Sequence, residues 1–241
     1  NYLKEFALKQ GALNSVEIIP NGVDLARFSP VRRSLENIQD GEAAVDLKNK
    51  LNIKKNEKVV ITVSRLVPKN GLAYLIEAIK ELGRLNSAIS AKLLIIGSGF
   101  LEKSLRVWTN NLGLAGKILF LGDVSNNLIP NYLAIADVFV RPSLSEGLGI
   151  SFLEAMASGV PVIATPVGGI PDFLRDKETG LFCEVNNPLS IARKLELIFS
   201  DAVLREKLIS NGRAFMKKNY DWDIIVVKMR KIFHCVIGRI Y

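Results

Sequence analysis

Two glutamates, Glu146 and Glu154, stand with seven residues between them in Glu146-Gly147-Leu148-Gly149-Ile150-Ser151-Phe152-Leu153-Glu154. The glycine pair precedes a helical pattern, so backbone N–H groups can approach a ligand closely, and the helix N-terminus favours an anion. A carboxylate such as Glu146, beside an anion-binding loop, is suited to accept hydrogen bonds from ligand hydroxyls. Glu154 has two readings here. It binds ligand, or it closes a capping box, Ser151-x-x-Glu154, with Ser151 as N-cap. Gly159 followed by Pro161 is expected to end the helix.

The elements that must position these residues follow from apolar patterning. Short Val- and Ile-rich runs at 59–63, 93–96, 118–121, 138–140 and 160–164, with a weaker one at 181–185, read as strands. Helical candidates lie between them at 72–85, 101–112, 129–136, 151–158 and 170–175. Fully apolar strands separated by helices predict an α/β fold, a Rossmann-like doubly wound parallel sheet with helices on both faces. A short helix near 43–51 and extra C-terminal helices at 189–200, 202–218 and 223–240 complete the pattern. Ligands in such sheets bind at the carboxyl ends of the strands. The residues found there are Ser64-Arg65-Leu66-Val67-Pro68-Lys69-Asn70-Gly71, then Gly97-Ser98-Gly99, Gly122-Asp123-Val124, Arg141 to Gly149, and Thr165-Pro166-Val167-Gly168-Gly169. Five ends in turn carry glycine, small polar or basic residues, which suits a phosphorylated ligand.

Composition narrows the classes. The chain has 241 residues, 49% hydrophobic and 23% charged, the balance of a globular domain. Its apolar runs are too short to span a bilayer, and the greasy tail is interrupted by Lys228, Arg230, Lys231 and Arg239. A net charge of +8 predicts attraction to phosphates. Nucleic acid falls behind, because zinc-finger spacing, RNA-recognition aromatics and basic-aromatic stripes are all missing from the sequence. Cys183 and Cys235 with the lone His234 make neither a disulfide framework nor a metal set, and read as reduced thiols of a cytoplasmic protein. Asp221-Trp222-Asp223 spells D-x-D, but its place at a helix start predicts N-capping by Asp221.

The run from Pro142 to Gly149, the spacing of Glu146 and Glu154, and Leu153-Glu154-Ala155-Met156-Ala157-Ser158-Gly159-Val160-Pro161 resemble the E-x7-E motif of the group 1 (family 4) glycosyltransferases. Ile19-Pro20-Asn21-Gly22-Val23-Asp24, Ser64-Arg65-Leu66 with Gly71, and Gly168-Gly169-Ile170-Pro171-Asp172 resemble further motifs of that family. The resemblance implies the GT-B fold, with this chain as a single nucleotide-sugar-binding domain over 1–241, its core at about 16–200. It implies transfer of a sugar from a nucleoside diphosphate with retention of configuration. Arg65 and Lys69 would hold the diphosphate, Glu146 the sugar hydroxyls and Glu154 the ribose. The 147–150 turn (Gly147, Leu148, Gly149, Ile150) would reach phosphate or sugar, and Gly122, Asp123 and Val124 would lie near the base, with Gly97 lining the crevice.

Two positions depart from the family pattern. Asn70 stands where a lysine usually precedes the glycine, so Lys69 is expected to take over its contact, and Asp172 replaces a commoner glutamate. No metal is required, and a UDP-sugar is the favoured donor. The partner implied is an N-terminal acceptor domain, absent from this sequence; Asn1-Tyr2-Leu3-Lys4 reads like a helix interior, the mark of a fragment. Peripheral contact with an anionic membrane at the inner face is a further expectation. The alternatives are a donor-binding subunit of a two-chain transferase, a non-catalytic relic, and a sugar-nucleotide epimerase of the same architecture.

Overall fold

The computed structural model describes residues 2–12, 16–29 and 38–237. The chain opens with α1 (Tyr2–Lys9) and α2 (Ile38–Lys50). From there strands and helices alternate: β1 (Lys58–Val63), α3 (Leu72–Leu85), β2 (Ala91–Ile96), α4 (Glu102–Asn111), β3 (Ile118–Gly122), α5 (Ile129–Ile135), β4 (Val138–Arg141), α6 (Ile150–Ala157), β5 (Val162–Ala164) and β6 (Leu181–Phe182). Three helices close the described chain: α7 (Pro188–Ser200), α8 (Ala202–Asn219) and α9 (Trp222–Ile237).

All strand pairs are parallel, in the order β3-β2-β1-β4-β5-β6. The order reverses between β1 and β4, and doubly wound sheets leave a crevice at that reversal. Strand alternation divides the core into two layers. Val59, Ile61, Leu94, Ile96 and Phe139 face α5 and α6, while Val60, Leu93, Ile95, Val138 and Val140 face α3 and α7. This is the expected doubly wound sheet, with its apolar strands buried on both faces.

Several expected elements differ in extent: the helix near 43–51 begins already at Ile38, and the weak strand at 181–185 is only Leu181–Phe182. The 160–164 run yields a strand only from Val162, because Val160 and Pro161 belong to the stop of α6: Gly159 has φ 69 and the Val160 N–H donates to the Ala155 carbonyl (2.9 Å). The 170–175 candidate is a single 3-10 turn, Ile170–Asp172, after which buried Phe173 and Leu174 pin the chain to the core. Conversely β2 starts earlier than its apolar run, since it includes a buried lysine. Lys92 reaches the end of α2, donating to the Asn52 carbonyl (2.6 Å) and pairing with Glu57 (3.7 Å). The part of the C-terminal helix expected beyond residue 237 lies outside the described residues.

Candidate functional site

The crevice at the strand reversal is bounded by the loop after β1 and the loop after β4. Their main chains touch. The Leu144 N–H donates to the Lys69 carbonyl (2.6 Å), and Gly71, at φ 67, lies so close that a Cβ there would collide with the Pro142 carbonyl. The loop after β5 is fused to the other side in the same way. The Gly169 N–H donates to the Glu146 carbonyl (3.0 Å), and Cβ atoms at Gly168 and Gly169 would strike the carbonyls of Glu146 and Gly147. Gly97 and Gly99 press the loop after β2 against Ser64 and Leu66. Glycine recurs at these strand ends because backbone meets backbone there.

Arg65 and Lys69 are both exposed on the loop after β1, and among the described residues neither side chain has an ion-pair partner. Asn70, in the position where lysine is expected, is turned inward. It is buried, and its side-chain amide donates to the Arg65 carbonyl (2.6 Å). Asn70 therefore shapes the loop that carries Arg65, and the exposed cation next to it is Lys69.

Helix α6 begins one residue earlier than its sequence signal. Gly149 is the N-cap, at φ 74 and ψ 81, with no side-chain cap. Ser151 is thus inside the first turn, and its hydroxyl donates to the Val63 carbonyl (3.0 Å) instead of capping. Of the two readings of Glu154, the capping box is not formed, because Ser151 is drawn down to β1. Among the described residues the N–H groups of Leu148, Gly149 and Ile150 donate to no protein acceptor, whereas that of Gly147 is taken by Glu146 Oε1 (3.0 Å). Unpaired amides at a helix start form an anion site.

Glu146 is held from beneath by Arg141, a residue to which the sequence assigns no role. The Arg141 guanidinium donates to Glu146 Oε2 (2.6 Å), Ser151 Oγ (2.9 Å) and the Val63 carbonyl (3.3 Å). It also lies over the Phe152 ring at 4.1 Å. Both partners of the pair are nearly enclosed, with side-chain exposures of 6% and 11%. Burial lowers the Arg141 pKa to about 10, against the raising effect of Glu146. Strand alternation could have found Arg141, because it shares a face with Phe139, which packs edge-on against Phe152.

Glu154 projects one turn further along α6. Burial raises its pKa, partly opposed by the charge of Arg27. Arg27, also missed in the sequence, follows the Asn21-Gly22-Val23-Asp24 motif. Its N–H donates to Asp24 Oδ1 (2.9 Å) and its guanidinium to the Asn126 carbonyl in the segment after β3. The end of β3 is tied to that of β2: the Gly97 N–H donates to the Gly122 carbonyl (2.7 Å) and Ser98 Oγ to Asp123 Oδ2 (2.6 Å). Val124 is half-buried against the core. The Gly97 amide is thus already occupied, and its positive φ answers to packing.

A cleft on the outer side of Gly147 and Leu148 is walled by Ile19, Asn21, Asp172 and Tyr220. The Val23 N–H donates to the Tyr220 carbonyl (2.7 Å), which fastens the N-terminal motif across the start of α9. There Asp221 caps the helix as expected, Oδ1 accepting from the Asp223 N–H (3.2 Å). The loop after β1 thus carries two exposed cations, and the loop after β4 that it touches carries Glu146 and unpaired main-chain donors, an arrangement able to hold a phosphorylated ligand rich in hydroxyls.

Known proteins share this arrangement of sequence. A GDP-mannose-dependent phosphatidylinositol monomannoside mannosyltransferase of Mycobacterium tuberculosis is 32% identical over 93% of this chain and 57% of its own length. An α-1,3-galactosyltransferase of Escherichia coli, named for UDP-Gal and a GlcNAc-diphosphoundecaprenol acceptor, is 34% identical over 89% of this chain and 55% of its own. A solved glycosyltransferase from Rickettsia africae superposes with a TM-score of 0.85 at 23% identity, over 98% of this chain and 62% of that one. The chain spans somewhat over half the length of the curated relatives it matches. Residues 45–215 match the family described as glycosyl transferases group 1, and the chain belongs to that family.

Proposed function

We propose that this chain is the donor-binding part of a retaining glycosyltransferase that uses a nucleoside diphosphate sugar. The observation that carries the reading is the contact, at the reversal of strand order, between the Arg65–Lys69 loop and the start of the loop after β4, the loop that goes on to present the unpaired amides of 148–150. In this reading Arg65, Lys69 and those amides hold the diphosphate, Glu146 the sugar and Glu154 the ribose, with Gly122 to Val124 beside the base and Gly97 behind it. Transfer breaks the bond between the anomeric carbon and the phosphate oxygen and leaves extra negative charge on the departing diphosphate. An acceptor hydroxyl oxygen forms the new bond on the same face and gives up its proton to the departing phosphate oxygen or to a general base. Fixed positive charge and preorganised N–H donors stabilise the leaving group where its charge develops. Such stabilisation can serve in place of a metal ion. The acceptor site and any general base belong, in this reading, to a second domain.

The relatives are named for both GDP-mannose and UDP-Gal, so the base is the first thing to measure. Thermal shift and calorimetry with UDP, GDP and ADP, then with their sugar conjugates, should single out one nucleotide, since a ligand stabilises the state it binds. Arg65→Ala should lower turnover of the complete enzyme about 10²–10³-fold. An unchanged rate in a folded variant would remove Arg65 from the mechanism. We also infer peripheral contact with an anionic membrane through α9, supported by its exposed Lys228, Arg230 and Lys231 beside exposed Val226, Val227 and Phe233.

A further inference from the structure

Beneath the 147–150 turn, a buried guanidinium fixes one of the two glutamates. We propose that Arg141 is a positioning residue for donor-sugar recognition: it holds Glu146 in the geometry in which that carboxylate meets the sugar. The inference rests on the assignment of Glu146 to the sugar.

Four contacts set the Arg141 side chain. Ser151 Oγ and the Val63 carbonyl fix one terminal nitrogen, Glu146 Oε2 takes the other, and the Phe152 ring lies under the plane. The space it fills is the space a side chain at position 149 would need, since a Cβ on Gly149 would collide with Arg141 Nη2. Gly149 is thus required by the guanidinium as much as by its own φ of 74. Three features of the motif (Gly149, Ser151 and Phe152) are accounted for by one buried cation.

The consequence for Glu146 is directional. A carboxylate has about four acceptor sites. Arg141 occupies one on Oε2 and the Gly147 N–H one on Oε1. Each oxygen keeps acceptor capacity, and the planar, forked donor set fixes the plane in which that capacity is presented. Without Arg141, Glu146 would be a nearly enclosed carboxylate with its strongest anchor gone.

The pair also places opposite charges under an anion site. Glu146 neutralises Arg141 in place, so the diphosphate is not expected to depend on this guanidinium as it does on exposed Arg65 and Lys69. That distinction gives the test. In the complete protein, calorimetry compares UDP with UDP-glucose, and GDP with GDP-mannose, for wild type, Arg141→Met, Arg141→Lys, Glu146→Gln and the Arg141→Met/Glu146→Gln double variant. For the nucleotide pair that wild type binds, Arg141→Met should weaken the sugar-dependent gain in affinity about 10–100-fold, as loss of a charged hydrogen bond does. Affinity for the bare nucleotide should change less than about twofold. Arg141→Lys should recover part of the gain. The double variant should be no worse than Glu146→Gln alone, because Arg141 acts through Glu146.

Loss of bare-nucleotide affinity in Arg141→Met, or additive losses in the double variant, would overturn the proposal. Should Arg141→Met not fold, Arg141→Lys and the double variant, which leaves no unpaired buried charge, decide: full retention of the sugar-dependent gain in Arg141→Lys counts against it. Glu146→Gln without effect would instead refute the sugar assignment on which it stands.

Discussion

Glu154 carries an unfavourable charge that no local structure requires. The helix cap that would have explained it is not formed, and burial raises its pKa with only Arg27 opposing. The folded chain therefore holds this proton more tightly than the unfolded chain. Stability falls as pH rises from the ordinary carboxylate value through the raised one. Glu154→Gln removes that fall. Its melting temperature should exceed that of wild type near neutral pH, and the difference should shrink as pH drops toward about 4. The same variant should bind the preferred nucleotide more weakly if Glu154 serves the ribose. A variant less stable than wild type at neutral pH would mean that Glu154 is a structural partner after all. At this scale the sequence displays residue types but hides their company. Glu146, Arg65 and Lys69 announce themselves by type and spacing, and their exposure or contact with the crevice follows from strand ends. Arg141 and Arg27 are basic residues among many, and what distinguishes them is a neighbour distant in the chain: Val63 for one, Asn126 for the other.

Among elements, the loops at the carboxyl edge behave as one body because their glycines allow main chain to lie on main chain. Gly168 and Gly113 separate this effect from backbone strain. Both have positive φ, 56 and 70, but a Cβ on Gly168 would collide with the Glu146 carbonyl, whereas Gly113 has open space. Gly113→Ala should cost about 1–2 kcal/mol, the left-handed strain alone. Gly168→Ala adds the collision, so it should lose more stability in denaturant titration and also weaken nucleotide-sugar binding by moving Glu146. Equal losses in the two variants, with binding intact, would show that the contact between the loops after β4 and β5 is dispensable. Glycine at strand ends is visible in the sequence, where it suggests access for a ligand. For Gly71, Gly97 and Gly168 the closer reason is interloop packing, which no local pattern encodes. Helix α3 was legible to the residue because its apolar spacing is long and regular. The start of β2 was obscured by Lys92, a charge that is buried only because the end of α2 lies within its reach.

For the molecule as a whole, alternating apolar runs made the doubly wound class readable, whereas the strand order β3-β2-β1-β4-β5-β6 depends on pairings between segments distant in the chain, such as Val60 with Val138. That the candidate loops after β1 and β4 lie side by side at the reversal was therefore beyond any motif. Surface charge, in contrast, is a property the sequence states outright: the chain carries a net +8, and α9 contributes Lys228, Arg230 and Lys231 to it against Asp223. Among the described residues no helix is long and apolar enough to cross a membrane. Helix α9 instead exposes Val227 and Phe233 (50% and 56%) together with Lys228, Arg230 and Lys231, a combination that suits the surface of an anionic bilayer. Each basic residue near such a surface contributes about 1 kcal/mol. Reversing the charges at Lys228, Arg230 and Lys231 together should thus remove at least about 3 kcal/mol, roughly 150-fold in vesicle affinity. Sedimentation with phosphatidylglycerol vesicles measures it directly, and added salt should mimic the triple variant through screening. Because these side chains are exposed, the melting temperature should hardly change. Undiminished vesicle binding by the charge-reversed protein, or no binding by the wild type, would overturn the inferred membrane contact of α9.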